Sequence, residues 1–532
     1  MLSRLKNRSY TAWLGAQNRL RLTRMARNVA AVEQPDAAQQ PVVFFNASAR
    51  LGNLSLNAAF SLLASWGLRM GEVPVVYFVC ESGMSRCVLG TDRDDHTQPP
   101  PCERCIAQSK RQYAGANVRR FTYQADPALA AALDGLSLDE LNTFSYQDEP
   151  LGEIVLPALR WILRRQHLTD DAATRHLLRE YIFSAYHVGH QFAALLDEVQ
   201  PQAVVLFNGI MYPEAMARRE AKKRGIRAIT HEVSFQPFSA FFTEGQATAY
   251  PIDIPADFEL SPEQNATLDA YLEKRFQGQF TMAGIRFWPE MQGLDAAFQE
   301  KAAAFKQIVP VFTNVIFDTS QVHANTVFTH MFAWLDQILE IIRRHPETLF
   351  VIRAHPDEMR PGTQKQSRES VRQWVADNGV AELPNVIFID SQEYISSYAL
   401  IQQAKFVMVY NSSIGLEATL MGAAVLCGGK ARFTQYPTVF FPQTPDTYRQ
   451  QAEDFLAAEQ IEVPAAFMRN ARRFLYYQNF RTALPFGDYL HAHPRLGYVQ
   501  LKNFPVEKLS PERSHTIQVI KNGVVDDQPF LV

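Results

Sequence analysis

Three short polar clusters in the second half of the chain share one setting. Each follows an apolar run and precedes a helix-forming stretch: Thr313-Asn314 with Asp318, His355-Pro356 with Glu358, and Ser412-Ser413 with Glu417. Ser412 and Ser413 offer hydroxyls and backbone N–H groups ahead of a helix, whose positive end favours a phosphate or carboxylate. Glu417, in the first turn, suits ribose hydroxyls. His355 can donate to a phosphate oxygen while Pro356 holds the turn rigid, and Arg353 either reaches the same anion or supports it. Taken singly these are ordinary features, since Ser-Ser before a helix is a common N-cap. Their recurrence at successive strand ends points to one nucleotide-type site built from Asn314, Asp318, Arg353, His355, Pro356, Glu358, Ser412, Ser413 and Glu417.

Chemistry on a bound hydroxyl also needs a base within reach. In the first half, acids at strand ends are Glu232, beside His231, then Glu81 and, less well placed, Glu244. Glu232 is the first choice, and Glu232, Glu81 and His355 form the candidate catalytic set; a solvated loop acid is the plain alternative for each. Four of the five cysteines lie close together: Cys80, Cys87, Cys102 and Cys105. The Cys102-Glu-Arg-Cys105 gap matches zinc knuckles, so a structural zinc, with His96 as substitute ligand, could pin a Pro-rich insertion. An iron–sulfur cluster fits the spacing less well, unliganded thiols remain open, and the insertion could instead shape a pocket. Cys427, in an apolar strand, reads as a buried, inert thiol.

The elements that must position these residues fall into two strand–helix series. The first has strands at 41–45, 73–79, 203–207 and 226–230, with helices at 55–68 and 213–224, a loop at 46–53 containing Gly52, and a mainly helical stretch at 128–200. The second has strands at 309–313, 348–354, 385–389, 406–410 and 424–426, with helices at 327–344, 368–378, 395–403 and 415–421. Apolar residues recur at three-to-four spacing in the helix at 327–344. The fold class is therefore α/β, with two Rossmann-like domains joined near 250–305 and facing a central cleft. Expected domains are a basic helix and linker (1–40), a first Rossmann-like domain (41–300) with the Cys-rich insertion (80–110), a second, nucleotide-binding domain (301–445), and a tail packing back on both (446–532).

A chain of 532 residues needs more than one core, and a net charge of −3 gives no reason to expect nucleic acid as partner. No apolar run is long enough to span a bilayer. Residues 1–30 carry seven Lys or Arg and no acid, interspersed with Leu2, Leu5, Trp13, Leu14, Leu20, Leu22 and Met25. Such a helix suits an anionic membrane surface, against a transit peptide or a merely solvated helix. It lacks a secretory apolar core, so the expectation is a cytoplasmic protein, peripheral at the inner membrane face.

The runs 312–318, 351–358 and 409–417 resemble bacterial capsule polysaccharide biosynthesis proteins, GT-B-fold glycosyltransferases that include Kdo transferases. The His-Pro and Ser-Ser pair is also similar to bacterial sialyltransferases, although the acidic Asp/Glu-Asp/Glu-Gly triplet of those CMP-using enzymes is missing. The resemblance implies a glycosyltransferase moving a sugar from a CMP- or UDP-linked donor to a glycan or glycolipid. It would invert configuration and need no metal if dipoles and basic side chains stabilise the leaving group. It also implies that His355, Ser412 and Ser413 contact the donor phosphate and Glu417 the ribose or base. A nucleotide-sugar 2-epimerase and a non-catalytic glycan-binding scaffold are the alternatives.

Overall fold

Short runs rich in Val, Ile and Phe form two largely parallel sheets. In chain order the strands are β1 (Val42–Asn46), β2 (Val75–Cys80), β3 (Asn117–Phe121), β4 (Ala203–Phe207), β5 (Arg227–Val233), β6 (Ser239–Glu244), β7 (Gln307–Phe312), β8 (Thr348–Arg353), β9 (Val386–Ile389), β10 (Val407–Val409), β11 (Val425–Cys427), β12 (Leu484–Pro485), β13 (Leu490–Ala492) and β14 (Val499–Leu501). The structure, a computed structural model, describes residues 2–48, 53–277, 291–360, 366–495 and 497–532. Gly52 and part of the segment expected to join the two halves lie outside the described residues.

The first sheet runs β12-β6-β5-β4-β1-β2-β3, parallel from β3 to β5 with β6 and β12 antiparallel at one edge. The second runs β11-β10-β7-β8-β9 and is parallel throughout. Counted within its own half, each parallel core has the order 3-2-1-4-5. The direction of winding therefore reverses between the first and fourth strands, and the loops leaving them part to open a crevice. All six residues of β8 are buried, as a parallel strand covered on both faces requires.

Local chemistry sets the helix starts. Ser55 caps the helix Leu56–Met70 by accepting from Ala58 N. The helix expected from 327 begins at Met331, because His330 Nδ1 accepts from Ala333 N and acts as its cap. Its apolar face, including Trp334, Leu335 and Ile338, is fully buried.

Both ends of the chain pack on the first sheet. The strand β12 pairs with β6 in the register Leu484↔Ala240, and Phe486 lies 4.9 Å from Phe60 between ring centres. The helix His515–Val525 approaches Leu56–Met70 at Gly67, where a Cβ would fall 2.5 Å from the Ile517 side chain. The N-terminal helix Leu2–Val32 departs in part from the expectation of a membrane-surface element. Leu14, Leu22, Met25, Ala26 and Val29 are buried in the protein. Asn18 Nδ2 donates to Val499 O (3.3 Å), Leu501 N donates to Asn18 Oδ1 (2.9 Å), and Arg21 Nη1 donates to Leu501 O (3.0 Å). One helix face is thus sewn to β14.

Replacing Asn18 by Ala leaves a buried carbonyl and a buried N–H of β14 without partners, each a cost of about 1–3 kcal/mol. Asn18→Ala should lower unfolding stability by about 2–4 kcal/mol in urea titration, while Gln17→Ala, one residue away, should change it by less than about 0.5 kcal/mol.

Candidate functional site

The loops at the C-terminal ends of both sheets meet around one cavity of about 820 Å3. Register explains the meeting on the second sheet. Val409 pairs with Phe312, so the loops that follow β7 and β10 leave side by side. Asn314 Nδ2 donates to Asn411 Oδ1 (2.7 Å) across the reversal point, and Asn411 Nδ2 donates to Ser320 Oγ (3.3 Å). Asp318 stays in its loop by accepting from Ser320 N (2.9 Å).

His355, Ser412, Ser413 and Glu417 line the cavity together with Asn314 and Asp318. His355 Nδ1 accepts from Asp357 N (3.1 Å), which leaves Nε2 to carry the ring proton and act as a donor. The helix after β10 is a short one, Ile414–Leu420, and Ser413 precedes it without a side-chain capping bond. Neither seryl hydroxyl makes a hydrogen bond to a described residue, so both are available to a ligand.

Glu417 is less available than its position suggests. Arg275 Nη2 donates to its Oε1 and Tyr398 OH to its Oε2, both at 2.5 Å. Its neighbours thus occupy both carboxylate oxygens, and Arg275, itself on the cavity wall, becomes the group that the carboxylate orients.

Four residues of the expected donor and catalytic sets do not line the cavity. Arg353 is buried away from the cavity and donates to the carbonyls of Asp390 (3.2 Å), Glu393 (2.9 Å) and Ile395 (3.1 Å), closing the loop after β9; burial lowers its pKa to about 10. Glu358 is completely buried and accepts from Val371 N (2.8 Å) at the start of the helix Val371–Asp377. Burial pushes its pKa up to about 8, so it is mostly protonated at neutral pH. Glu81 does not reach the cavity; its backbone N–H donates to Phe121 O (2.9 Å). Pro356 adjoins His355 without lining the space.

From the first sheet, Glu232 does reach the cavity. Its Oε1 accepts from Asn57 Nδ2 (2.7 Å) and Val233 N (2.8 Å), and its Oε2 from Asn208 Nδ2 (3.5 Å). Donors converging on both oxygens fix the direction of the carboxylate. Asn208 reaches it from the end of β4 with a positive φ of 27°, in a turn continued by Gly209 at φ 82°. His231 and Glu214 line the same wall. From the second half, His323 meets this wall, its Nε2 2.9 Å from Thr248 Oγ1, and burial lowers its pKa to about 4.

Of the four clustered cysteines, Cys87 lines the cavity. Burial raises the pKa of Cys80 and of Cys87 to about 12, which keeps both as neutral thiols. Among the described residues, no group of three or more His, Cys, Asp or Glu side chains is arranged to hold a metal ion. Cys427 is buried, with its Sγ 3.1 Å from Tyr410 O.

Sequence reasoning overlooked Asn57, Asn208, Arg275, His323, Lys430 and Arg432. A signal existed for some of them: Asn208 and the run 428–432 stand directly after strands, where cleft residues concentrate. Arg275, on the helix Pro262–Phe276, had no such mark.

Two like-ordered parallel sheets facing one cavity at their C-terminal ends define a GT-B-like α/β protein. Residues 282–460 match the family model described as "Capsule polysaccharide biosynthesis protein". Compared by sequence with curated proteins, the chain matches none. Among solved structures it is similar to the beta Kdo 2,4 transferase of Thermosulfurimonas dismutans KpsC (10% identity, TM-score 0.34, covering 60% of this chain and 87% of that one). It is also similar to the beta Kdo 2,7 transferase of the same KpsC (11%, 0.32, 59% and 85%). A further similarity is to UDP-GlcNAc 2-epimerase from Neisseria meningitidis bound to UDP-GlcNAc (11%, 0.23, 82% and 98%).

Because the pKa of Glu358 is raised in the folded state, the native protein binds more protons than the unfolded chain between about pH 4.5 and 8. Its contribution to stability is therefore full below about pH 4.5 and is lost as pH rises through about 8. Glu358→Gln should flatten the fall in melting temperature between pH 6 and pH 8.5 and leave ligand binding in the cavity unchanged.

Proposed function

We propose that this chain is a glycosyltransferase of capsule or surface polysaccharide assembly, moving a sugar from a nucleotide donor to a glycan or glycolipid with inversion. One observation carries the reading: the cavity joins a carboxylate fixed by two asparagines on the first sheet to a histidine and two free hydroxyls on the second. In this reading His355 Nε2–H and the hydroxyls of Ser412 and Ser413 hold the donor phosphate and meet the charge that grows on the leaving nucleotide. The acceptor hydroxyl lies against Glu232, which takes its proton as the oxygen attacks the anomeric carbon. Asn57 and Asn208 keep that carboxylate aimed, and the reaction needs no bound metal.

The outward face of the N-terminal helix supports attachment to an anionic membrane from the cytoplasmic side. Tyr10 and Trp13 stack there at 6.0 Å while 54% and 53% exposed, and Leu20, 73% exposed, continues the face. Exposed aromatics beside basic side chains favour such a surface. No described helix is long and apolar enough to cross a membrane.

A thermal-shift screen with CMP, UDP, GDP and their sugar conjugates should give one clear stabilisation, lost in the Ser412→Ala/Ser413→Ala double variant; silence with all of them would sink the donor site. His355→Ala should abolish donor hydrolysis and transfer. Glu232→Gln should lower kcat for transfer by at least about 100-fold with donor affinity retained. Conversion of the free nucleotide sugar without any acceptor would instead mark an epimerase. Separately, Trp13→Glu/Leu20→Glu should reduce co-sedimentation with vesicles containing phosphatidylglycerol at least about fivefold, and equal sedimentation would remove the membrane assignment.

A further inference from the structure

The loop that leaves β11, Gly428-Gly429-Lys430-Ala431-Arg432, brings two cations to the cavity wall. The loop is pinned. Gly428 N donates to Val409 O and Gly429 N to Tyr410 O, both at 2.8 Å, and Lys430 N donates to Ala324 O at 2.9 Å. A Cβ on Gly428 would stand 2.3 Å from the indole nitrogen of Trp334, so only glycine lets the backbone lie this close.

The loop holds Arg432 against two rings of the other half. Its guanidinium carbon is 4.4 Å from the ring centre of Phe235 and 5.2 Å from that of Tyr250. Tyr250 is itself fixed, its hydroxyl donating to Val233 O at 2.6 Å. Burial depresses the Arg432 pKa; Asp318 and Glu417 act on it as attractive charges and Arg275 as a repulsive one. The side chain makes no hydrogen bond to any described residue. Ring contact compensates a guanidinium at its faces, yet its five N–H groups point outward in its plane. Arg432 is half-buried on the cavity wall, and an oxygen anion lying in that plane would meet donors that no side chain or backbone oxygen of the described residues accepts.

We propose that Arg432, with Lys430 beside it, is an oxyanion-binding residue of the substrate cavity, taking a phosphate or carboxylate oxygen of the substrate. The assignment rests on the reading of this cavity as a nucleotide-sugar site and adds a second anion contact to that of His355, Ser412 and Ser413. Because Phe235 and Tyr250 orient the guanidinium, the first half of the molecule positions a binding group supplied by the second. The bound oxyanion then sits where the two halves meet.

The test uses the full chain and two variants, Arg432→Gln and Arg432→Met. Calorimetric titration compares CMP and UDP, cytidine and uridine, and nucleotide sugars whose sugar is either neutral or carries a carboxylate. If the oxyanion is the nucleotide phosphate, Arg432→Gln weakens nucleotide binding at least about tenfold and leaves nucleoside binding unchanged. If it is the carboxylate of an acidic sugar, only that conjugate loses affinity. Equal affinity of wild type and variant for every ligand that wild type binds overturns the proposal. If wild type binds no nucleotide or nucleotide sugar, the donor-site reading fails separately, and ligand-free melting decides the role of Arg432. A guanidinium poised for an absent anion predicts that Arg432→Met melts higher than wild type. A guanidinium that only cements the two halves predicts a lower melting temperature, and that result also overturns the proposal.

Discussion

The reversal of winding between the first and fourth strands is the constraint on which the rest of the molecule depends. It occurs in both sheets, at β1/β4 and at β7/β10, and each time it separates two loops at the C-terminal edge. A single reversal would make a crevice with solvent on its far side. Two reversals that face one another make a walled cavity, with Glu232, Asn57 and Asn208 on one wall and His355, Ser412 and Ser413 on the other. The Asn314–Asn411 bond closes the floor of one crevice at its reversal point, using side chains for what strand pairing cannot do there.

The two walls also differ in electrical character. The first sheet presents a carboxylate, Glu232, held by amide and backbone donors. The second presents N–H and O–H donors, with its own buried acid, Glu417, answered by Arg275 and Tyr398. Such an asymmetry suits a reaction that withdraws a proton on one side and accumulates negative charge on the other. Contacts between the halves hold it in place: His167 N donates to Glu369 Oε2 at 2.9 Å, and Thr248 Oγ1 lies 2.9 Å from His323 Nε2.

Much of this was legible before the structure. The apolar runs marked nine strands to within a few residues but not β3, β6 or β12 to β14, and the rule that cleft residues follow strands brought Asn314, Asp318, His355, Ser412, Ser413 and Glu232 to one cavity. The same rule failed for Arg353 and Glu358, which flank His355. Both are buried, one closing a loop through three carbonyls and the other holding a helix start, and those partners lie beyond the local strand-to-helix turn. Glu417 was located correctly, yet Arg275, 142 residues away, already holds its carboxylate. Arg432 follows a strand end and could have been noticed, but nothing in the sequence shows that its donors lack acceptors among the described residues or that Phe235 and Tyr250 flank it.

The return of the chain to its first sheet has a consequence during synthesis. The edge strand β6 receives its neighbour β12 only after the entire second sheet has been made, a delay on the order of tens of seconds at ordinary elongation rates. Throughout that interval an unpaired, apolar edge with Ala240, Phe241 and Phe242 stays open to any extended peptide nearby. The half translated first is thus completed last, and a nascent chain of this protein has more need of a holding chaperone than its size alone would suggest.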